Sequence, residues 1–259
     1  MNMKAEKFET GIREIWMMYY TSFFLGWTQM LKGIEFFRCV ENFWIFYALK
    51  HKLKGSKVLD IGPWKSPLPV FMSHRYKSDV TVLDVEEGIK QQMYYAALLF
   101  QNITPSRIPL FSKQDEVNFE LDDATFDVVT CVSTLEHFEG DLDKKIVNEI
   151  HRVLKPSGFL FITVPYGQLY HESMHYIWTE KRHNTESLSN LFDKDFNIVE
   201  QFYFKDEETL KFTKKYWSLN RTLRLILGRF WIFPAIHYLK RDSANQGNAS
   251  LTGLVLQKK

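Results

Sequence analysis

The sequence predicts an α/β fold with a mostly parallel sheet and helices on both faces. From Lys57 onward, short β-rich runs alternate with helical patterns, and this order is typical of parallel strands joined by covering helices. Two strand patterns near the end of the chain, separated by an insertion, predict an antiparallel pair at the sheet edge.

The composition is that of an ordinary globular protein with unusually many aromatic side chains. Apolar residues make up 45% of the chain and charged residues 25%, which excludes general disorder. The aromatic share of 16% must be buried or must face an apolar ligand. The net charge of +2 lacks the basic excess of nucleic-acid-binding proteins, so we expect no nucleic acid partner. The two cysteines, Cys39 and Cys131, lie in apolar runs and predict buried thiols in a reducing compartment.

Residues 1–54 are predicted to form a helical N-terminal extension or lid. Apolar residues recur there at helical spacing, as in Ile12, Ile15, Trp16, Tyr19 and Phe23. No secretory signal is evident, and the longest uncharged stretch, 15–31, is too short and polar for a membrane span. The aromatic residues of this extension would either line an apolar pocket or pack on the sheet; they are Tyr19, Tyr20, Phe23, Trp27 and Phe36.

Residues 55–259 form the second predicted unit. Its strand patterns are Lys57–Ile61, Val80–Val85, Phe126–Ser133, Phe159–Val164, Asn197–Phe204 and Leu251–Gln257. Its helical patterns are Gly88–Phe100, Leu142–Leu154 and Glu186–Phe192. No regular pattern is predicted between Pro165 and about Thr185. A basic, aromatic, helical insertion is predicted at about 205–247.

Two motifs near the start of this unit suggest a nucleoside site. The first strand runs into a turn of Gly, Pro and Ser that contains Gly62, and glycine lets a backbone approach a ligand closely. Asp84 ends the second strand, where a carboxylate accepts hydrogen bonds from both hydroxyls of a ribose. The dinucleotide pattern G-x-G-x-x-G is absent, which disfavours NAD. An ordinary strand-to-helix turn and a solvated strand end are the alternatives.

Two further motifs follow downstream. Residues 126–133 form a buried strand pattern and lead directly into Thr134-Leu135-Glu136-His137. Residues 150–160 read as a helix end, a Pro/Gly turn and another buried strand.

In this order and spacing, the four segments resemble the class I S-adenosylmethionine-dependent methyltransferases of the small-molecule type. The resemblance covers about Lys57 to Phe204 plus the last strand. It implies a Rossmann-like seven-stranded, mostly parallel sheet with an antiparallel last strand, and S-adenosylmethionine as the cofactor.

The resemblance also assigns roles by position. Asp60 and Gly62, with Pro63 in the same loop, would line the methionine end of the cofactor, and Asp84 would hold its ribose. Asp115 falls where the family places an acid near the adenine amino group. The remaining positions lie past the fourth strand of the family's sheet: Ser133 and Thr134 would border the sulfonium, and Glu136 and His137 would sit at the acceptor mouth.

The chain departs from the family in the loop after the first strand. The family has glycines two and four residues after Gly62, where this chain has Trp64 and Ser66. Either Pro63 and Pro67 reshape the turn, or cofactor binding is weakened. This departure motivates the alternative of a non-catalytic binding module that kept the fold.

The resemblance sets the expected chemistry. Methyl transfer requires an aligned acceptor and exclusion of water, and a hydroxyl acceptor also needs a base. His137, with Glu136 beside it, and His171 are the candidate groups. The alternative for His137 is a helix-start residue that forms only local hydrogen bonds, and the alternative for His171 is a solvated loop residue. Glu136 and His137 are adjacent, as in some quinone-precursor methyltransferases, but two ligands do not make a metal site, so no metal is predicted.

We therefore expect a cytoplasmic methyltransferase acting at an oxygen of a small-molecule, saccharide or lipid-linked acceptor. A third alternative is a peripheral membrane enzyme that methylates a lipid. Residues 211–241 motivate it, because they place several arginines and lysines among aromatic and aliphatic residues. The same segment could instead cap the acceptor site or pack on the core with its bases in water.

Overall fold

A computed structural model of the chain describes residues 36–49, 51–64, 66–84, 103–107, 117–175, 178–204 and 249–259, with isolated positions between 211 and 247. Most of the predicted extension 1–54, the predicted helix Gly88–Phe100 and most of the insertion at 205–247 lie outside these residues.

The described helices and strands alternate along the chain as predicted. The helices are α1 (Phe36–Leu49), α2 (Leu68–Tyr76), α3 (Leu142–Val153) and α4 (Thr185–Phe192). The strands are β1 (Lys57–Ile61), β2 (Asp79–Asp84), β3 (Ile103–Arg107), β4 (Phe126–Val132), β5 (Leu154–Pro165), β6 (His171–His175), β7 (Trp178–Arg182), β8 (Phe196–Phe204) and β9 (Leu251–Lys258).

The main sheet has the strand order β3-β2-β1-β4-β5-β9-β8. Strands β1 to β5 pair in parallel, whereas β9 is antiparallel to both of its neighbours, β5 and β8. The prediction of a Rossmann-like, mostly parallel sheet with an antiparallel pair at one edge is thereby confirmed.

Strand alternation assigns the helices to opposite faces of the sheet. On one face, Leu59 and Ile61 belong to the same buried cluster as Ile146 of α3 and Leu188 of α4. On the other face, Gly253 of β9 lies directly against the indole of Trp44 in α1, since a Cβ built on that glycine would come within 2.8 Å of it. Helix α2 joins α1 there, with the Phe46 and Phe71 rings 4.0 Å apart.

Four described elements lie where no element was predicted. Strands β6 and β7 form a separate antiparallel hairpin within the stretch after Pro165 that was expected to be irregular. Helix α2 begins just after Pro67, which is compatible with a first turn because proline has no N–H to lose there. The fourth element, strand β3, contains Pro105 and is an edge strand of the sheet, where a proline is tolerated.

None of the described helices is both long and apolar enough to cross a membrane.

Candidate functional site at the carboxyl ends of the parallel strands

The predicted cofactor residues on β1, β2 and β4 and in the loops after them meet at the carboxyl ends of these strands. Ile61 is in register with Leu83 of β2 and with Cys131 of β4, so Gly62 follows level with Asp84 and Val132. The strand order reverses between β1 and β4, because β2 and β3 extend to one side and β5 to the other. Ligands of open α/β sheets bind at such a switch point, beyond the carboxyl ends of the strands.

Gly62 forms a close contact between the two central loops. Its φ of +62° is in the left-handed region, and a Cβ at this position would lie 2.2 Å from Cγ2 of Thr134. The Thr134 hydroxyl donates to the Gly62 carbonyl at 3.1 Å and to the Val132 carbonyl at 3.1 Å. Only glycine satisfies both the backbone conformation and this approach. The loops after β1 and β4 are therefore fixed to each other.

Trp64 replaces a family glycine but keeps a left-handed backbone, with φ of +44°. Its backbone N–H donates to Oδ2 of Asp84 at 2.8 Å, which ties the β1 loop to the end of β2. The indole is 51% exposed, so it does not occupy a buried position in the loop. A carboxylate has about four lone-pair sites, so this bond is compatible with further donors at Asp84.

Ser66, the second departure from the family pattern, takes part in a reshaped turn. Its N–H donates to the Pro63 carbonyl at 2.8 Å, and its hydroxyl accepts from the Leu68 N–H at 3.2 Å. The Phe71 N–H then donates to the Pro67 carbonyl at 2.9 Å and starts α2. The turn is thus closed by proline carbonyls and a serine hydroxyl where the family uses glycines.

Asp60 is buried one residue before the end of β1. Its carboxylate is 1% exposed, and Oδ1 accepts from the hydroxyl of Thr130 on β4 at 2.7 Å. Asp60 faces the α1 and α2 side, because its neighbours Leu59 and Ile61 face the α3 side. A buried anionic group next to the switch point suits a cationic ligand group.

Glu41 of α1 is a site residue that the sequence reasoning missed. Its carboxylate is 1% exposed and accepts hydrogen bonds from the hydroxyls of Ser133 and Thr163, the latter at 3.3 Å. The Ser133 N–H in turn donates to the carbonyl and the hydroxyl of Thr163, both at 3.0 Å. The one available signal was a single acid among apolar residues of a helix that was expected either to form a lid or to pack on the sheet.

Glu136 and His137, which were predicted to sit at the acceptor mouth, lie in a 3-10 turn, Leu135–His137. Glu136 is buried and His137 is exposed. His171, the other histidine candidate, is exposed at the start of β6. The catalytic roles of these residues stay predictions. Asp115, the predicted adenine contact, lies outside the described residues.

A buried ion pair holds the β6–β7 hairpin beside this turn. Lys181 of β7 is 2.8 Å from the carboxylate of Asp143 in α3, and it also donates to the carbonyl of Gly140. Next to it, His183 is 1% exposed, and burial lowers its pKa to about 4. His183 is therefore neutral at pH 7.

The described residues contain no group of three or more His, Cys, Asp or Glu side chains that could hold a metal ion.

The comparisons with known proteins agree with this geometry. Residues 59–162 match a family model described as a methyltransferase domain. Among solved structures, the 1,6-didemethyltoxoflavin-N1-methyltransferase of Burkholderia thailandensis, with bound S-adenosylhomocysteine, is 15% identical; the match covers 85% of this chain and 76% of that chain with a TM-score of 0.55. No curated protein sequence matches significantly.

Two further solved structures show the range of this fold. Coclaurine N-methyltransferase, bound to N-methylheliamine and S-adenosylhomocysteine, is 14% identical, with coverage of 84% and 70% and a TM-score of 0.55. The cyclase SpnF is 17% identical, with coverage of 84% and 80% and a TM-score of 0.53. The fold alone therefore does not fix the reaction.

The strand order, the Gly62 loop and these likenesses define a class I methyltransferase fold. The family match adds that residues 59–162 are similar to a methyltransferase domain. The resemblance stated from the sequence is thereby confirmed. The acceptor and the methylated atom stay predictions.

Proposed function

We propose that the chain moves the methyl group of S-adenosylmethionine to a hydroxyl oxygen of a small-molecule, saccharide or lipid-linked acceptor. The observation that carries the proposal is the convergence of Asp60, Gly62, Asp84, Ser133 and Thr134 at the carboxyl ends of three adjacent strands. The two methyltransferase neighbours are named for small molecules, coclaurine and 1,6-didemethyltoxoflavin, which supports this acceptor size.

The chemistry of these residues fits the cofactor. Asp84 would accept hydrogen bonds from the ribose hydroxyls, and its carboxylate is already oriented by the Trp64 N–H. Asp60 would attract the ammonium at the methionine end, because it is a buried anion beside the same loop. Gly62 would let the cofactor pass close to the backbone. When bound, S-adenosylmethionine supplies an activated methyl group on a sulfonium.

The protein's own part in the reaction is alignment, exclusion of water and movement of one proton. Ser133 and Thr134 would border the sulfonium, and the β6–β7 hairpin would shield the acceptor side. His137 would accept the acceptor's hydroxyl proton as the carbon–oxygen bond forms and the carbon–sulfur bond breaks. Glu136, buried directly before His137, would orient this turn.

Trp64 motivated the alternative of a non-catalytic module, because its indole could block the cofactor. The side chain is exposed and the backbone is left-handed, and both observations weaken this alternative. The membrane alternative depends on residues 211–241, most of which lie outside the described residues, and it stays a prediction.

Calorimetric titration with S-adenosylmethionine tests the cofactor part of the proposal. We expect saturable binding to the wild type. Asp84→Asn should weaken it at least about tenfold, since charge-assisted hydrogen bonds contribute about 1.5–3 kcal/mol each. Asp79→Asn is the matched control, because Asp79 is exposed at the opposite end of the same strand. Absence of wild-type binding at millimolar cofactor would refute the proposal.

Transfer of an isotope-labelled methyl group to a panel of hydroxylated small molecules, saccharides and lipids tests the acceptor part. With an accepted compound, His137→Gln should lower kcat about 100-fold or more, in the range of general base catalysis, and should leave cofactor affinity unchanged. His171→Gln provides the comparison between the two histidine candidates. Labelling of amines alone would show that the methylated atom is not oxygen.

A further inference from the structure

Lys181 joins the β6–β7 hairpin to the far end of the loop between β4 and α3. Its side chain is 1% exposed. Its Nζ atom lies 2.8 Å from Oδ2 of Asp143, in the first turn of α3, and donates a second hydrogen bond to the carbonyl of Gly140. One ammonium group therefore holds two points of the junction between this loop and the helix.

The near end of the same loop is tied to the proposed cofactor loop. The Thr134 hydroxyl donates to the Gly62 carbonyl at 3.1 Å, directly before the 3-10 turn that ends at His137. His137 lies between Thr134 and Gly140 in the chain. The loop is thus held on both sides of the proposed base.

The loop has little regular structure of its own. Within the 3-10 turn, the His137 N–H donates to the Thr134 carbonyl at 3.1 Å and the Phe138 N–H to the Leu135 carbonyl at 3.4 Å. Gly140 has a φ of +53°, and nothing lies within 4 Å of a Cβ built on it, so packing in that direction does not hold the backbone. Because short 3-10 turns have poor hydrogen-bond geometry, ties from outside the loop matter for its position.

The hairpin that carries Lys181 is itself attached to the main sheet. The His183 N–H donates to the carbonyl of Pro165 at the end of β5, at 2.9 Å, and the Gly167 N–H donates to the His183 carbonyl at 2.8 Å. Strand β5 pairs with β4, which leads into the loop. Lys181 therefore holds the far end of the loop against the same sheet from which the loop begins.

Stability alone does not require an ion pair at this position. Replacing a buried ion pair by apolar residues of similar volume is often neutral or stabilising. A charge-assisted hydrogen bond, in contrast, fixes its donor and acceptor at a defined distance and direction. The Lys181–Asp143 pair therefore suits a role in which the position of the loop matters.

We propose that Lys181 is a positioning residue for methyl transfer, which holds the loop between β4 and α3 so that His137 meets the acceptor hydroxyl. The inference rests on the proposed function, in which His137 takes the proton of that hydroxyl. Displacement of the loop would lower the rate without changing cofactor affinity, because methyl transfer depends steeply on the alignment of the reacting groups.

The first experiment measures kcat with the hydroxylated compound that the labelling panel identifies as the best acceptor. Lys181→Met/Asp143→Leu removes both charges together, so the variant should fold and bind S-adenosylmethionine with wild-type affinity. Its kcat should fall about 10–100-fold. The matched control is Lys155→Met/Asp127→Leu, the same change at an ion pair between the amino ends of β4 and β5, and it should leave kcat unchanged.

Combination with His137→Gln separates positioning from a structural role. If Lys181 acts through His137, the triple variant should have the kcat of His137→Gln alone, because the same contribution is lost only once. Losses that multiply would overturn the inference.

Hydrogen exchange on the full chain gives a second measurement that needs no acceptor. The amides of His137, Phe138 and Leu142 should exchange about tenfold faster in Lys181→Met/Asp143→Leu than in the wild type, whereas those of β4 should not change. Equal exchange rates in this loop would contradict the proposed tie. If the double variant does not fold, Asp143→Asn removes the charge but keeps the shape, and it should change kcat and exchange in the same directions by smaller factors.

These outcomes are distinct from failure of the proposed function. An unchanged kcat in Lys181→Met/Asp143→Leu would overturn this inference alone. A fully active His137→Gln would overturn both the base and its positioning, and would leave the cofactor site intact. A wild type that binds no S-adenosylmethionine would overturn the proposed function, and this inference with it.

Discussion

Replacing Gly62 with alanine tests whether the β1 and β4 loops are in contact as described. The substitution has two costs. The left-handed φ of +62° costs a residue with a Cβ about 1–2 kcal/mol. The added Cβ would also lie 2.2 Å from Cγ2 and 2.7 Å from Oγ1 of Thr134, and such overpacking costs about 1–3 kcal/mol more.

Gly55→Ala separates these two costs. Gly55 has a φ of +69° but nothing within 4 Å of its virtual Cβ, so alanine there has only the conformational cost. In urea denaturation, Gly62→Ala should lower the free energy of unfolding by about 2–5 kcal/mol, and Gly55→Ala by about 1–2 kcal/mol.

A double-mutant cycle with Thr134→Ala completes the test. The single Thr134→Ala removes the hydroxyl and the γ-methyl group and should cost about 1 kcal/mol. In the double variant the two closest clashing atoms are gone, and only the Thr134 Cβ, at 3.0 Å, is still tight. The double variant should therefore be less destabilised than the sum of the two single variants by about 1–3 kcal/mol. Additive losses would refute the described contact between the two loops.

Three further predictions concern stability. Burial lowers the pKa of His183 from 6.5 to about 4, so between these pH values the unfolded chain binds more protons than the folded chain, and stability falls as the pH falls. The free energy of unfolding should be about 2 kcal/mol lower at pH 5 than at pH 7. His183→Gln should remove this difference, measured by urea denaturation at both pH values. Lys181→Met leaves the Asp143 carboxylate buried without its ion-pair partner and should cost about 3–5 kcal/mol in the same assay. Gly253→Ala places a Cβ 2.8 Å from the Trp44 ring and should cost about 1–3 kcal/mol, measured by thermal unfolding.

Each of these predictions has its own contradicting result. The His183 prediction is contradicted if the wild type loses stability below pH 6.5 and His183→Gln loses the same amount. The ion-pair account fails if Lys181→Met is as stable as the wild type, and the double variant Lys181→Met/Asp143→Leu should recover part of the loss, because the orphaned charge is removed. A neutral Gly253→Ala would show that Trp44 does not pack on β9 as described.

Much of the fold followed from the sequence because buried parallel strands and amphipathic helices carry strong local patterns. The runs at 57–61 and 126–132 are nearly continuous apolar strands, and helix α3 repeats apolar residues on one face. The β6–β7 hairpin was missed because its strands, HESMH and WTEKR, are largely polar and show no apolar alternation. A two-stranded hairpin beside the main sheet needs no such pattern.

The site was predictable where it belongs to a contiguous motif and hidden where it depends on tertiary contacts. Gly62 and Asp84 stand at strand ends, so their meeting followed from parallel pairing. The link between Glu41 and Ser133 spans 92 residues, and no local pattern records it. The left-handed backbone of Trp64 was likewise unpredictable, because a non-glycine residue rarely adopts it.

A crystal structure of the protein with S-adenosylhomocysteine tests the central claim most directly. The account predicts the nucleoside across the carboxyl ends of β1 and β4, with the ribose hydroxyls donating to the Asp84 carboxylate at about 2.5–3.0 Å. A ligand bound elsewhere, or an indole of Trp64 turned inward over Gly62 so that no ligand can enter, would contradict it.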